Sequence, residues 1–162
     1  MTIDADQIHN DLWQGSAPPT GTHVKDAGFT ALVLCADGYQ PPASEFPGVQ
    51  VIHAPNTDDP TVPPRRADLN RALQAAGQAA EILEQGGKVL VTCRMGINRS
   101  SLVTALTLHK LTGMSGLEAC ERIMSKRLAL TNPQFLKCLS RIPARLDLEG
   151  NPTISRVVST RP

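Results

Sequence analysis

Aromatic side chains are scarce. Among 162 residues there are three Phe, one Tyr and one Trp. So few rings exclude a stacking platform for nucleobases or sugars. Charge of one sign is missing too. Sixteen Lys and Arg stand against fifteen Asp and Glu, for a formal net charge of +1. That balance gives no general case for a nucleic-acid or membrane partner. No stretch is apolar enough to cross a bilayer. The opening residues Met1-Thr2-Ile3-Asp4-Ala5-Asp6 are acidic and lack the apolar centre of a signal peptide, which points to the cytoplasm. The four cysteines, Cys35, Cys93, Cys120 and Cys138, show no metal-ligand spacing. No metal and no cofactor are therefore expected, and reduced thiols are the default in that compartment. Repeats and low-complexity tracts are absent.

What is present suits one globular domain. Hydrophobic residues make up 41% of the chain, whose length allows one well-buried core and not two. Ile8 to Ser16 reads as an edge strand ending at Gly15. Thr22 to Ala27 predicts a short helix stopped by Gly28. Thr30 to Cys35 is a continuous apolar run, hence a central strand. Asp37 to Pro47 reads as a loop and Val49 to His53 as another strand. The proline-rich Pro55 to Pro64 resists a regular helix. Arg65 to Glu84 predicts a long helix with Leu69, Leu73, Ala76, Ala80 and Leu83 on one face. Ser115-Gly116-Leu117-Glu118 forms a capping box before a buried stripe of Leu117, Cys120, Ile123 and Met124. Asn132-Pro133 caps a last helix whose apolar face is Phe135, Leu136, Leu139 and Ile142. Signals fade over 149–162, where a poorly ordered tail is expected. The alternation predicts an α/β fold with a mostly parallel central sheet flanked by helices.

One stretch organises the rest: Val89-Leu90-Val91-Thr92-Cys93-Arg94-Met95-Gly96-Ile97-Asn98-Arg99-Ser100. It reads as a buried strand, a tight loop and the start of a helix that continues through Leu102, Ala105, Leu106 and His109. Such a turn gathers backbone N–H groups around a helix N-terminus and makes an anion cradle. The same field favours a thiolate at its centre, where Cys93 sits. Arg99 can offer a two-pronged guanidinium to phosphate oxygens. The bland alternative is a buried structural Cys93 with Arg99 on the surface.

Cys93 to Ser100 resembles the signature loop of the cysteine-dependent protein phosphatases, in particular the small dual-specificity branch. The strand ending at Gly15-Ser16 resembles that branch's opening strand. The run from Arg127 through Asn132 to Phe135 is similar to its closing segment. The resemblance implies a protein-tyrosine-phosphatase-like catalytic domain over 1–148 and hydrolysis of phosphate monoesters through a phosphocysteine. Phosphotyrosine and phosphoserine/threonine, in a protein or a small phosphoester, are the first choice of substrate. In this reading Cys93 is the nucleophile, and the backbone of Arg94, Met95, Gly96, Ile97 and Asn98 with Arg99 holds the phosphate. Ser100 assists the departing sulfur. The general acid is Asp58 in Pro55-Asn56-Thr57-Asp58-Asp59-Pro60, with Asp59 the alternative.

Two positions depart from the family pattern. Thr92 replaces the usual His before the nucleophile, which bears on how fully the thiol is activated. Met95 replaces a smaller residue and is expected to narrow or re-aim the loop floor. Of the mouth positions only Arg94 is basic, whereas lipid-selective relatives carry two. Gly96-Ile97-Asn98-Arg99 is similar to the loop of relatives acting on RNA 5′-triphosphates. Phosphoinositides, RNA 5′-phosphates and a catalytically weak module that binds phosphorylated partners are the alternatives. Leu34-Cys35-Ala36 resembles a segment of the lipid-phosphatase branch, in which such a cysteine traps the oxidised nucleophile. Cys35 is thus either a redox partner of Cys93 or a small core residue.

Overall fold

The computed structural model describes residues 2–146 and 148–150. The strands are β1 (Ala5–His9), β2 (Leu12–Gly15), β3 (Ala31–Ala36), β4 (Gln50–Asn56) and β5 (Val89–Thr92). The helices are α1 (His23–Asp26), α2 (Arg66–Glu84), α3 (Arg99–Thr112), α4 (Gly116–Met124) and α5 (Pro133–Leu139), with a 3-10 turn at Ala43–Glu45. One sheet runs in the order β1-β2-β5-β3-β4. Every neighbouring pair is parallel except β1 with β2. The α/β expectation with a mostly parallel sheet holds.

The sheet faces are unequal. Ala31, Val33 and Cys35 alternate out of β3, and Val89 and Val91 out of β5, toward α2, α3, α4 and α5. Leu32, Leu34 and Leu90 face the other way and are covered by Val24 of α1, Phe29 and Phe46. Burial on both faces explains why β3 and β5 read as unbroken apolar runs.

Four expectations need correction. The segment Ile8 to Ser16 belongs to two strands, because Asn10 takes φ +50° and turns the chain into a hairpin. The buried face of α2 is a stripe of Ala72, Ala75, Ala76, Ala79 and Ala80 with Leu83, whereas Leu73 is 41% exposed. Small residues there let α2 lie close to α3, a preference that hydrophobicity alone does not reveal. In α4 the buried residues are Gly116, Ala119, Cys120 and Ile123, while Leu117 and Met124 face outward. Finally, the strand expected over Val49 to His53 runs from Gln50 to Asn56, and β3 lies between it and β5. The loops after β4 and β5 nevertheless open at the same sheet edge.

Both anticipated caps form. The Ser115 hydroxyl accepts from the Glu118 N–H, and the Asn132 side chain accepts from the Gln134 N–H ahead of Pro133. The tail expected from residue 149 lies, from 151 onward, outside the described residues.

Candidate active site

A loop can present N–H groups inward only if its carbonyls turn outward and find donors there. Between β5 and α3 the carbonyls of Arg94 to Asn98 do so. The Arg94 oxygen accepts from the Ala17 N–H (3.2 Å), and the Ile97 oxygen from the Leu130 N–H (2.9 Å). The Met95 oxygen accepts from the Arg127 guanidinium (3.2 Å) and the Gly96 oxygen from the Gln14 carboxamide (3.1 Å). The Asn98 oxygen takes the Leu102 N–H as α3 begins. Among the described residues, the N–H groups of Arg94 to Asn98 have no protein acceptor. They are left for an anion.

Gly96 makes the turn possible. Its φ is +70°, and a Cβ there would fall 2.6 Å from the Gly15 backbone oxygen. Gln14 and Arg127 hold the turn from outside. Gln14 is fully buried and also donates to the Ser101 hydroxyl at 2.8 Å. Arg127 further donates to the Gln14 carbonyl (2.9 Å) and pairs with Asp6 and Asp4 at 3.1 and 3.3 Å.

Cys93 lies in this loop, 4% exposed, with its Sγ 3.2 Å from the Ser100 Oγ. The thiol donates in that contact, and an ionised sulfur would accept from the hydroxyl instead. Arg99 donates from Nη1 to the Asp37 carboxylate at 2.5 Å, while its Nε is buried with no hydrogen-bond partner. An orphaned buried donor is costly. This one belongs to the residue that closes the loop, and an oxyanion held by the loop N–H groups is the kind of acceptor it lacks. Thr92, in place of the usual His, donates to the Val33 carbonyl at 3.0 Å and ties β5 to β3. Of the two effects expected of Met95, narrowing the loop floor is contradicted, because the residue is 63% exposed.

The two candidate acids part clearly. Asp58 reaches the signature loop. It accepts from Asn98 Nδ2 (3.1 Å) at one oxygen and from Asn132 Nδ2 (2.7 Å) at the other. Asp59 folds back on its own turn, accepting from the Thr61 hydroxyl (2.6 Å) and N–H (2.9 Å). Those two bonds hold its carboxyl below the usual carboxylate value and keep it on its own turn, away from Asn98 and Asn132. The loop carrying both is braced from α2. Buried Asp68 accepts from the Thr57 N–H at 3.3 Å, and Arg71 donates to the Pro55 carbonyl at 2.7 Å.

Cys35 is the penultimate residue of β3, which lies beside β5. The ladder pairs Leu34 with Thr92, so a cysteine follows the last paired residue in each chain segment, and both cysteines belong to the same core cluster. Burial first, then the nearby Cys93, pushes the Cys35 thiol well above its ordinary value, against a smaller opposing pull from Arg99. No group of metal-ligating side chains occurs among the described residues. Nor is any described helix long and apolar enough to span a membrane. Sequence reading missed Asp37, Gln14 and the donor side of Asn132. Their roles depend on contacts across 62, 82 and 74 residues of chain.

A cysteine that opens an N–H cradle at the end of a parallel strand, with an arginine closing the same loop and an aspartate bonded to its Asn98, is the arrangement of a phosphatase of the protein-tyrosine-phosphatase type. No family model matches the chain. Human dual specificity phosphatase 28 is 31% identical over 153 residues, which cover 90% of this chain and 84% of that protein. Dual specificity protein phosphatase 1B of Arabidopsis thaliana is 26% identical over 91% of this chain and 86% of its own. The crystal structure of human DUSP28 aligns with a TM-score of 0.71 at 26% identity, covering 87% of this chain and 93% of that one. A mouse putative dual specificity phosphatase complexed with zinc tungstate aligns at 0.73 and 26% identity, over 87% of each chain. The chain belongs to the dual-specificity phosphatases.

Proposed function

We propose that the enzyme hydrolyses phosphate monoesters, phosphotyrosine and phosphoserine/threonine of proteins foremost, through a phosphocysteine intermediate, in the cytoplasm. One observation carries the reading. The loop that begins at Cys93 and ends at Arg99 leaves the N–H groups of 94–98 and the buried Arg99 Nε without a protein acceptor.

In the first step the Cys93 thiolate attacks phosphorus. The S–P bond forms as the P–O bond to the leaving group breaks. The bond's electron pair passes to the leaving oxygen, which takes the proton of the Asp58 carboxyl. Charge on the three equatorial oxygens falls to the loop N–H groups and the Nε edge of Arg99. Asp37 occupies only Nη1, so that edge stays free for a two-pronged contact. In the second step water attacks phosphorus and gives a proton to the Asp58 carboxylate. The S–P bond breaks, and the Ser100 hydroxyl donates to the departing sulfur across 3.2 Å.

A module that only binds phosphorylated partners is the weaker reading, because Cys93, Arg99, Ser100 and Asp58 are all in place. A single basic mouth residue, Arg94, favours phosphoproteins over polyanionic lipid or RNA phosphates. The test is hydrolysis of a small aryl phosphate with a chelator present. Cys93→Ser should abolish turnover while vanadate binding survives, because oxygen is the poorer nucleophile and the cradle remains. Turnover near wild type in that variant would overturn the proposal.

A further inference from the structure

Asn132 carries more than a helix cap needs. A cap requires an acceptor, which Ser, Asp or Asn supplies equally well. In α5 the Asn132 Oδ1 does that work, taking the Gln134 N–H at 2.8 Å. Its Nδ2 is surplus to capping, yet Asn132 is only 3% exposed and aims that donor at Asp58 Oδ1, 2.7 Å away. Asn98 mirrors it from the signature loop. Its Nδ2 donates to Asp58 Oδ2 at 3.1 Å, and its Oδ1 accepts from the Asn132 N–H at 2.9 Å. Three segments distant in sequence therefore meet at one carboxyl.

We propose that Asn132 is a positioning residue for the reaction: with Asn98 it clasps the Asp58 carboxyl and fixes which way the acid faces. The proposal rests on Asp58 being the general acid. An amide N–H only donates, so it dictates where each carboxyl oxygen lies. Each oxygen keeps one further lone-pair direction, and the acidic proton must occupy one of these. Asp58 is otherwise exposed. An unclasped side chain there would spread over several rotamers and seldom meet the leaving oxygen.

The test exchanges the donor while keeping the cap. Asn132→Asp preserves shape and capping but sets an acceptor against Asp58, and Asn132→Ser preserves capping alone. Turnover is compared on an aryl phosphate with an activated leaving group and on one with a poor leaving group, with Tm recorded. Asn132→Asp should lose about tenfold or more on the poor leaving group, within the range general acids supply, and under twofold on the activated one. Asn132→Ser should follow the same pattern less steeply. In an Asp58→Asn background neither change should alter the leaving-group ratio further. A fall in Tm with that ratio unmoved, or equal losses on both substrates, would overturn the clasp. If Asp58→Asn itself shows no leaving-group dependence, the acid assignment fails and the clasp with it. If Asp58→Asn shows it and neither Asn132 variant does, only the clasp fails.

Discussion

The loop after β5 is held by its backbone. Outward carbonyls from Arg94 to Asn98 each meet a donor, and the side chains of Arg94 and Met95 hang free in solvent. The loop after β4 is held mainly through side chains. Asp58 meets two carboxamides, Asp59 turns on Thr61, and Asp68 catches the Thr57 N–H. The first arrangement tolerates change of side chain and not of backbone. The second has the opposite tolerance. A loop that must bind the same oxyanion in every substrate gains from fixed main-chain dipoles, whereas a loop that must move one proton gains from a carboxyl set by its neighbours.

The comparison breaks first at the backbone. Gly96→Ala should cost about a hundredfold or more on every substrate, whatever its leaving group, since φ +70° and the Gly15 carbonyl at 2.6 Å force the turn to shift. Vanadate affinity should fall with it, and titration of vanadate against initial rate checks this. Arg99→Lys should lose on the order of 10²–10³ in kcat because a point charge cannot reproduce the fork.

At the side-chain loop, Asp58→Asn should lose about a hundredfold on poor leaving groups and far less on activated aryl phosphates. Asp59→Asn should stay within about twofold, because its carboxyl serves only its own turn. A plot of log kcat against leaving-group pKa for both variants separates them, and the pattern appearing in Asp59→Asn would reverse the assignment.

Gln14→Leu sharpens the contrast from outside the site. It is close in volume, yet it leaves the Gly96 carbonyl and Ser101 hydroxyl without their buried partner. A loss of about 1–3 kcal/mol in urea unfolding is expected, together with weaker vanadate binding. Wild-type vanadate affinity would show that the cradle does not depend on this brace.

The smallest effect in ordinary assays concerns Cys35→Ser, which should turn over normally until peroxide is added. Peroxide converts the Cys93 thiolate to a sulfenic acid with loss of hydroxide. That oxidation removes the Cys93 charge that helps keep Cys35 protonated. The Cys35 sulfur can then attack Cys93 Sγ, expel water and form a disulfide that a thiol reductant reverses. Wild type should regain activity with reductant and Cys35→Ser should not. Equal recovery would leave Cys35 a core residue.

The signature loop was legible because its requirements are local. Strand, glycine, arginine and hydroxyl follow one another within a dozen residues. The sheet order was not legible, since strand adjacency is settled by packing: β3, which carries Cys35, lies beside β5, and β4 lies one strand further out. Asp58 and Asp59 could not be separated from sequence because the deciding partners, Asn98 and Asn132, lie 40 and 74 residues away. Asn132 was read as a cap on the strength of Pro133, and a cap signal says nothing about the other end of the same side chain. The α2 face was partly legible: Ala76, Ala80 and Leu83 are buried as expected, but Leu73 is not, because periodicity ranks leucine above alanine while close packing favours the smaller side chain.

That alanine stripe acts as a spacer. Ala72, Ala75, Ala76, Ala79 and Ala80 are among the shortest side chains available, and all are buried on the helix that packs against α3 and β4. The first residue of α3 is Arg99. A bulkier side chain in that stripe would push on the helix that carries the guanidinium, so a substitution far from any substrate is expected to be felt at the signature loop.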